Sequence, residues 1–398
     1  MDHLIEKFRK KLMPISLRFQ RSLMDEIAWK ERLIGIKGAR GAGKTTMLLQ
    51  RIKAHHLHEL DQVLYVSLDD IWFAEHRLVD LVDEFVKTGG RYLFLDEVHK
   101  YPDWSREVKN IYDDYPELQI VFTGSSLLEI LNARADLSRR SIHYELQGLS
   151  FREYLHFAHG KKFEAVSLTN LLAHSYSISV EVTQSIRPLA FFKDYLKSAY
   201  YPYAQESRDS YHERLASVVN LILELELPQL RQVDIAYVPK LKKLLLVIAE
   251  SAPFTPNVSA LSRKIGVNRE TIMTYLYHLA SAGLTRHLFK TGKGITRLQK
   301  PDKIFLDNTN LAYAIRPHGP DMGMLRETFF ASQVGYQHQL SYPEKGDFMV
   351  DDQWTFEIGG KNKNRSQIKN VPHSFAALDG IEIGHSQKIP LWLFGFLY

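Results

Sequence analysis

The hydrophobic pattern of the chain divides it into an early strand-rich part and a later helix-rich part. In the early part, short apolar runs of strand length end in glycine, carboxylate or hydroxyl residues, and helical segments separate them. These runs are RLIGIKGA, VLYVSLDD, RYLFLDEVH and LQIVFTGSS. Continuous apolar strands that alternate with helices are typical of a parallel sheet covered on both faces. We therefore predict an α/β fold for this part of the chain.

The later part of the chain is patterned mainly for helices. Residues 158–235 carry aromatic and aliphatic residues at helical spacing, which predicts a helical lid or connector. The stretch VSALSRKIGVNRETIMTYLYHLASAGLTRHL has the form helix, glycine turn, helix and strand, which is helix-turn-helix patterning. The last apolar run, IPLWLFGFLY, predicts a buried strand.

Residues of the helix-turn-helix pattern have distinct expected places. We expect Gly266 to make the turn and Asn268 to cap the second helix, because asparagine accepts hydrogen bonds from the free amides at a helix start. On the second helix, Arg269, Thr271 and Tyr275 are expected to be exposed. The residues expected to be buried are Leu261, Ile265, Ile272, Leu276 and Leu279.

Composition limits the class of protein. A length of 398 residues exceeds what one hydrophobic core usually organises and indicates two or three domains. The 45% apolar and 24% charged residues are typical of a globular chain. No apolar run approaches the roughly 20 residues that a membrane helix needs, and no basic leader precedes one. Because the chain also lacks cysteine, which excludes disulfides and thiolate metal sites, we expect a cytoplasmic protein with no membrane partner.

The first predicted strand runs directly into GARGAGKTTMLLQRI, which has phosphate-loop spacing. Glycines let the backbone wrap so that its amides point at phosphate oxygens, and the following helix presents its N-terminus to the same anion. Lys44 is expected to reach the β- and γ-phosphates, and Thr45 to ligate Mg²⁺. The residues predicted to bind the nucleotide are Gly38, Ala39, Arg40, Gly41, Ala42, Gly43, Lys44, Thr45 and Thr46.

A second motif, RYLFLDEVH, has the form of a Walker B strand. Asp96 follows its apolar residues at the carboxyl end, where it is expected to hold Mg²⁺ through water. Glu97 is placed to polarise an attacking water. An acidic pair after a buried strand is usually only a solvated strand end. Here a phosphate loop precedes it by about fifty residues, which favours the nucleotide interpretation.

The strand LQIVFTGSS ends in hydroxyl residues. In the additional-strand class of phosphate-loop proteins, such a strand lies between the phosphate-loop strand and the Walker B strand. Thr123 or Ser125 is therefore expected near the γ-phosphate. Arg134, Arg139 and Arg140 follow, and an arginine here can act on the γ-phosphate of a neighbouring subunit, the alternative being a surface ion pair. The predicted catalytic residues are Glu97, Lys44, Ser125 and Arg140.

Taken together, the motifs resemble bacterial and archaeal AAA-type ATPases fused to a C-terminal domain of unknown function. The resemblance covers nearly the whole chain and rests on GARGAGKTTMLLQ, YLFLDEVHK, FTGSSLLEI, ELQGLSFREYL, KIFLDNTNLAYAI, RETFF, FEIGGKNK and IPLWLFGFLY. It implies ATP and Mg²⁺ as cofactors. The implied parts are a P-loop AAA-type core with a parallel sheet, a helical lid, a winged-helix module and a C-terminal α/β restriction-endonuclease-like domain of the PD-(D/E)xK kind. The corresponding divisions are residues 1–157, 158–235, 236–298 and 299–398.

Positive charge is concentrated in one segment of the chain. The net charge is only +5, yet residues 240–300 contain eleven Lys or Arg against Glu250 and Glu270. Such asymmetry indicates an anionic partner, and we expect a nucleic acid, DNA rather than RNA. A solvated basic face and a protein-docking lid are the alternatives. The residues predicted to contact phosphates from the second helix and the wing are Arg269, Lys290, Lys293 and Arg297.

The stretch DFMVDDQWTFEIGGKNK carries two carboxylates on strand-like runs. The resemblance places Glu327, Asp347 and Glu357 at the acidic positions of a PD-(D/E)xK-like site, where carboxylates would hold Mg²⁺. A metal-dependent nuclease would have a lysine two residues after the second strand carboxylate. Gly359 stands there instead, and the first lysine, Lys361, would lie roughly 13 Å from Glu357 along a straight strand. We therefore predict a vestigial site that does not cut DNA.

The sequence thus predicts an AAA-type ATPase that binds and hydrolyses Mg-ATP and acts on nucleic acid. Two alternatives stay open. One is a nucleotide-dependent signalling or scaffold switch in which the winged helix is only an interdomain clamp, and the other is an ATP-regulated metal-dependent nuclease. AAA-type cores often form rings, so the resemblance implies a homo-oligomer, although a monomeric switch fits the residues equally well.

Overall fold

The computed structural model describes residues 1–124, 137, 139–228, 234–251, 253–290, 300–316 and 319–398. The chain forms two compact units, residues 1–148 and residues 149–398. The finer division of the second unit into a lid, a winged helix and a nuclease-like domain stays a prediction. Among the described residues, no helix combines the length and the apolar character that crossing a membrane requires.

The first unit is an α/β structure, as predicted. Its helices are α1 (Asp2–Leu12), α2 (Leu23–Glu26), α3 (Lys44–His55), α4 (Leu78–Lys87) and α5 (Trp104–Asp114). Its strands are β1 (Leu33–Lys37), β2 (Val63–Ser67), β3 (Tyr92–Asp96), β4 (Gln119–Gly124) and β5 (Ile142–Glu145). These described strands pair in parallel in the order β2-β3-β4-β1-β5. β4 therefore lies between β1 and β3, which confirms the predicted additional-strand arrangement.

Apolar side chains alternate between the two faces of this sheet. Ile34 and Ile36 of β1 belong to the core cluster that contains the apolar face of α3. Leu93 and Leu95 of β3 belong to the cluster that contains α4 and α5. Because both faces are covered, the carboxyl ends of the strands are where polar side chains collect, as is usual in sheets of this type.

The second unit contains helices followed by a mixed sheet. Its described helices are α6 (Phe151–His159), α7 (Leu168–Ser185), α8 (Pro188–Ser198), α9 (Tyr211–Leu221), α10 (Val238–Ser251), α11 (Val258–Ile265), α12 (Arg269–Ser281), α13 (Thr309–Ile315) and α14 (Met322–Val334). Its strands are β6 (Thr285–Leu288), β7 (Lys303–Leu306), β8 (Leu340–Ser341), β9 (Phe348–Val350), β10 (Trp354–Gly360), β11 (Ser374–Asp379) and β12 (Lys388–Pro390). β6 and β7 form an antiparallel pair, and the remaining strands pair in the order β12-β11-β10-β9-β8.

The predicted helix-turn-helix is confirmed as α11, a turn at Gly266 and α12. Gly266 has a φ of 76°, and the Asn268 side chain accepts a hydrogen bond from the Thr271 amide at 2.7 Å. The prediction for Tyr275 is wrong, since this side chain is only 4% exposed. Tyr275 lies three residues after Ile272, so it shares the buried face of the helix. The residues predicted to be buried, Leu261, Ile265, Ile272, Leu276 and Leu279, are buried.

The C-terminal apolar run is buried, but it is not the predicted strand. β12 ends at Pro390, and Leu391–Phe396 forms a 3₁₀-helix in which every residue is buried. An uninterrupted apolar run has no periodicity, so burial alone does not distinguish a strand from a helical turn. The final residues therefore fill the core of the second unit as a compact turn.

Candidate functional site

The phosphate loop joins β1 to α3, and its geometry favours glycine at positions 38 and 43. Gly43, which precedes α3, has a φ of 98°, a left-handed conformation that side chains disfavour. At Gly38 a Cβ atom would lie 2.3 Å from the carbonyl oxygen of Leu146. The loop backbone therefore closes tightly at the N-terminus of α3, which is the arrangement that binds phosphate.

Lys44 is directed onto the phosphate loop. Its side chain is buried, and its ammonium donates to the carbonyl oxygens of Gly38 at 2.9 Å and Ala39 at 3.1 Å. Both acceptors are neutral, whereas a phosphate would offer charged acceptors that make stronger hydrogen bonds. The loop thus holds the Lys44 ammonium where a bound phosphate could accept its hydrogen bonds.

Asp96, at the end of β3, is the acceptor for several hydroxyl groups. It is 2% exposed, and its Oδ2 accepts hydrogen bonds from Thr45 Oγ1 at 2.6 Å and from the Tyr65 hydroxyl at 2.9 Å. Its Oδ1 accepts a hydrogen bond from Thr123 Oγ1. Burial, with the negative charge of Asp96, raises the pKa of Tyr65 far above its ordinary value, so the phenol stays protonated. The structure therefore brings the two predicted Mg²⁺ ligands, Thr45 and Asp96, into direct contact.

Glu97 follows Asp96 in an unusual backbone conformation. Its φ is 51°, and its amide donates to Asp96 Oδ1 at 3.2 Å. Such a conformation costs free energy in a residue with a side chain, so it persists only where the surroundings fix it. His99 Nε2 lies 3.5 Å from Glu97 Oε2. Burial, reinforced by nearby lysine and arginine charges, lowers the pKa of His99 to about 3, so this ring is neutral at neutral pH.

Arg21 connects the phosphate loop to the end of the first unit. Its buried guanidinium donates to the carbonyl oxygens of Ala42 at 2.7 Å, Gln147 at 2.8 Å and Gly148 at 2.9 Å. Hydrogen bonds from a charged donor are stronger than those between neutral groups. The guanidinium therefore fixes the loop and these two residues relative to one another.

The arginine predicted to act in catalysis is held elsewhere. The guanidinium of Arg140 donates to both carboxylate oxygens of Asp113, at 2.9 Å and 3.0 Å. This is the surface ion pair considered as the alternative, and the catalytic role of Arg140 stays a prediction. Arg139 is exposed. Ser125 and Arg134 lie outside the described residues.

Cationic residues gather around the turn between α11 and α12. Lys240 Nζ donates to the Gly266 carbonyl oxygen at 3.1 Å, and Lys243 Nζ donates to the Lys264 carbonyl oxygen at 2.9 Å. Arg269, the first residue of α12, is exposed. We use the name turn cluster for Lys240, Lys243, Arg263, Lys264 and Arg269. Of the predicted wing residues, Lys290 is exposed, and Lys293 and Arg297 lie outside the described residues.

The predicted acidic residues of the second unit lie close together, but a lysine separates two of them. Asp347 precedes β9 opposite β10, and its Oδ2 accepts a hydrogen bond from the Ile358 amide at 2.8 Å. Lys303 Nζ, from β7, lies 3.5 Å from Glu327 Oε2 and 3.9 Å from Asp347 Oδ1. We use the name charged cluster for Lys303, Glu327, Asp347, Glu357 and Lys363.

The lysine beside Glu357 is Lys363 rather than the predicted Lys361. Lys361 is exposed just beyond the end of β10. Lys363 packs back over Gly359, where a Cβ atom would lie 2.5 Å from Lys363 Cβ, and its Nζ lies 3.2 Å from Glu357 Oε1. Glu357 is 0% exposed, and neither of its oxygens accepts a hydrogen bond from the described part of the chain. The missing side chain at Gly359 thus makes room for a lysine from further along the chain.

The charged cluster does not have the form of a metal site. Burial, with the charge of Asp347, raises the pKa of Glu327 to about 7, while Lys303 and Lys363 act in the opposite direction. Among the described residues, no three or more His, Cys, Asp or Glu side chains are grouped so that they could hold a metal ion. The vestigial nuclease site predicted at Glu327, Asp347 and Glu357 therefore stays a prediction without an assembled metal centre.

The strand order, the glycine loop before α3 and the contact between Thr45 and Asp96 define the first unit as a P-loop domain. Residues 30–155 match the family model described as AAA domain, so this domain is of the AAA type. Residues 190–321, in the second unit, match the model described as Domain of unknown function (DUF8612).

Individual proteins resemble this chain along most of its length. The uncharacterized protein MJ1637 of Methanocaldococcus jannaschii is 27% identical over 393 residues, which covers 90% of this chain and 82% of that protein. The Walker-type ATPase PABY2304 of Pyrococcus abyssi is 12% identical, covers 76% of this chain and 99% of that chain, and has a TM-score of 0.44. AMPPCP-bound DnaA from Aquifex aeolicus is 14% identical, covers 69% of this chain and 85% of that chain, and has a TM-score of 0.25.

Sequence reasoning missed several residues that these contacts single out: Arg21, Tyr65, Lys303 and Lys363. For Tyr65 a signal existed, because a polar-tipped aromatic residue in a buried strand needs a hydrogen-bond partner. The Gly359-Gly360 pair was a signal for Lys363, since it marks a place where another chain segment approaches closely. Arg21 and Lys303 carry no local signal, because their partners are distant in sequence.

Proposed function

We propose that the first unit binds Mg-ATP and hydrolyses it. The observation that carries the proposal is the contact between Thr45 Oγ1 and Asp96 Oδ2, which sets two oxygen ligands side by side at the phosphate loop. Mg²⁺ is usually bound by one or two protein oxygens, with phosphate and water oxygens completing its shell. This pair of side chains fits that requirement.

Each residue of the site has a role in this proposal. Bound Mg²⁺ would neutralise charge on the phosphate oxygens. Lys44 transfers its hydrogen bonds from the loop carbonyls to the terminal phosphates, and the loop amides hold the remaining oxygens. Glu97 orients a water molecule and accepts its proton. Thr123, hydrogen-bonded to Asp96, holds that carboxylate in place.

Two variants test the assignment. Lys44→Ala should lose ATP binding, because the charged donor to the phosphates is gone. Glu97→Gln should bind Mg-ATP but hydrolyse it about 10²-fold to 10⁴-fold more slowly, since an amide does not accept the proton. Single-turnover hydrolysis and a fluorescent nucleotide-binding assay measure the two steps separately. Parent-rate hydrolysis by Glu97→Gln would show that the assignment of this residue is wrong.

We also propose that the second unit contacts nucleic acid through a winged helix formed by α10, α11, α12 and the β6–β7 hairpin. The turn cluster supports this proposal. Lys240 donates to the turn residue Gly266, and Lys243 donates to Lys264 at the end of α11. Lys264 and Arg269, on either side of the turn, are exposed. Cations at a helix-turn-helix turn suit the sugar-phosphate backbone, whose contacts position a protein without specifying sequence. A protein-docking role is the competing interpretation.

Salt dependence separates the two interpretations. If about four of these cations neutralise phosphates, the logarithm of the affinity for duplex DNA should fall with a slope of about −3.5 against the logarithm of salt concentration. Lys264→Glu with Arg269→Glu should weaken binding to all sequences alike. Lys161→Glu with Lys162→Glu, two exposed lysines elsewhere in the unit, is the matched control. Affinity that ignores salt, or no binding at low salt, would favour protein docking, and RNA competitors test the expected preference for DNA.

A further inference from the structure

In the charged cluster, lysines of the same chain lie next to all three carboxylates. Three carboxylates, those of Glu327, Asp347 and Glu357, face the ammonium groups of Lys303 and Lys363. Divalent cations need oxygen ligands that converge at about 2.0–2.6 Å from one point. Here an ammonium lies within 4 Å of two of the three carboxylates and a second ammonium lies beside the third.

We propose that Lys303 is an internal cation that replaces a divalent metal ion in the charged cluster. Its Nζ lies between Glu327 Oε2 and Asp347 Oδ1, which is where the resemblance to PD-(D/E)xK nucleases places Mg²⁺. The residues therefore do not fit the metal that this resemblance implies. The three carboxylates are held together by lysines of the same chain.

Two further carboxylate oxygens of the cluster also have partners within the chain. Asp347 Oδ2 accepts the hydrogen bond from the Ile358 amide, so only Oδ1 faces the space that Lys303 fills. Glu357 Oε1 faces Lys363 at 3.2 Å. Among the described side chains, no three or more His, Cys, Asp or Glu residues form a metal-binding group.

Lys303 is held in this position by its surroundings. It is the first residue of β7, where it pairs with Leu288 of β6, and its side chain is 13% exposed. The ammonium also lies 4.8 Å from the centre of the Tyr342 ring, a favourable cation–π contact. A lysine so removed from water needs the carboxylates as partners, because an unpaired buried charge is costly.

Removing Lys303 should therefore create a metal site. We would titrate nucleotide-free protein with Mn²⁺ by calorimetry and by electron paramagnetic resonance, with Asp96→Asn in every variant to remove the P-loop ligand. Lys303→Met should bind Mn²⁺ more than about tenfold more tightly than the parent, because an ammonium within 4 Å repels a cation. Adding Asp347→Asn to Lys303→Met should abolish that gain. In the parent, Asp347→Asn should change nothing in the Mn²⁺ titration.

Two results would overturn the proposal. One is Mn²⁺ binding by the parent that depends on Asp347, since the metal would then displace the lysine. The other is a folded Lys303→Met variant that binds Mn²⁺ no better than the parent. If Lys303→Met does not fold, Lys303→Met with Glu327→Gln removes one charge of each sign. Recovery of the melting temperature in this pair supports the internal-cation role, and failure to recover contradicts it.

Discussion

Asp96 of the P-loop site and Glu357 of the charged cluster are both buried, and Glu327 and Asp347 are partly buried, but the partners of the acids differ in kind between the two regions. Asp96 accepts hydrogen bonds from three neutral hydroxyl groups and an amide. Glu327, Asp347 and Glu357 face the ammonium groups of Lys303 and Lys363. A hydroxyl that loses its hydrogen bond to a carboxylate can itself become a metal ligand, whereas an ammonium has no lone pair to offer.

Burial of acids therefore does not by itself indicate a metal site. What matters is whether the groups around the acids can share a cation with them. In the P-loop site, the hydroxyl of Thr45 can share a cation with the carboxylate of Asp96. The charged cluster already has its cations, and they are covalently part of the chain. The expectation that purified protein with Mg²⁺ or Mn²⁺ leaves DNA intact therefore has a physical reason.

The largest expected effect comes from removing the charge of Asp96. Asp96→Asn should slow ATP hydrolysis roughly a thousandfold, because a neutral amide oxygen binds Mg²⁺ poorly. Several kcal/mol of the stabilisation that Mg²⁺ gives to the transition state would then be lost. Steady-state phosphate release measures the rate. Asp347→Asn, which removes a carboxylate from the charged cluster, should leave that rate unchanged. A similar loss in both variants would end the distinction between the two regions.

The pH dependence of stability should come from the charged cluster. The pKa of Glu327 is about 7 when folded against an ordinary value of 4.5, so the folded state binds more protons between these pH values. Stability should therefore fall as pH rises from about 4.5 to 7, by roughly 3 kcal/mol. Glu327→Gln should remove that fall in denaturant unfolding measured across the range. Glu382→Gln, an exposed control, should keep it.

Removing Lys363 should leave Glu357 as an uncompensated buried charge. We expect Lys363→Met to lower the free energy of unfolding by about 2 kcal/mol, less than for a fully buried pair because the lysine side chain is 38% exposed. Lys361→Met, an exposed neighbour, should change it by less than about 0.5 kcal/mol. Combining Lys363→Met with Glu357→Gln should recover most of the loss. Equal effects at positions 361 and 363 would contradict the contact with Glu357.

The smallest expected effect is that of Tyr65. Tyr65→Phe removes a hydrogen bond that orients Asp96, and substitutions of this kind weaken metal binding by about tenfold to a hundredfold. Half-maximal ATP hydrolysis should need about ten times more Mg²⁺. Tyr101→Phe is the matched control, since its hydroxyl also contacts a buried carboxylate, that of Glu107. If both variants showed the same Mg²⁺ dependence, Tyr65 would contribute to packing only and would not orient Asp96.

Sequence alone predicted that Thr45 and Asp96 lie together, because both belong to short contiguous motifs. Lys44 and Thr45 belong to one turn, and Asp96 follows one apolar strand, so spacing along the chain reports their spacing in the fold. The placement of β4 between β1 and β3 was expected from the additional-strand class of phosphate-loop proteins, which the motifs resemble. Tyr65 was not predicted, because its partner is on a different strand.

The charged cluster was harder to predict because its members meet only through tertiary structure. Motif spacing pointed to Lys361, yet the chain turns after Gly360 and brings Lys363 back over Gly359. Lys303 comes from β7, far in sequence from the acids, and the motif that begins with it does not indicate that they are its partners. Spacing along the sequence predicts distances within a straight strand. It does not predict which later residue a turn brings back against that strand.

The hydrogen bonds of Arg21 connect the phosphate loop to the last residues of the first unit. The same guanidinium contacts Ala42 in the loop and Gln147 and Gly148, the last residues before the chain leaves the first unit. Because the guanidinium is planar and rigid, a displacement of Ala42 would also change the hydrogen bonds to Gln147 and Gly148. Arg21 thus couples two segments that are distant in sequence, the phosphate loop and the end of the first unit, through three backbone carbonyls.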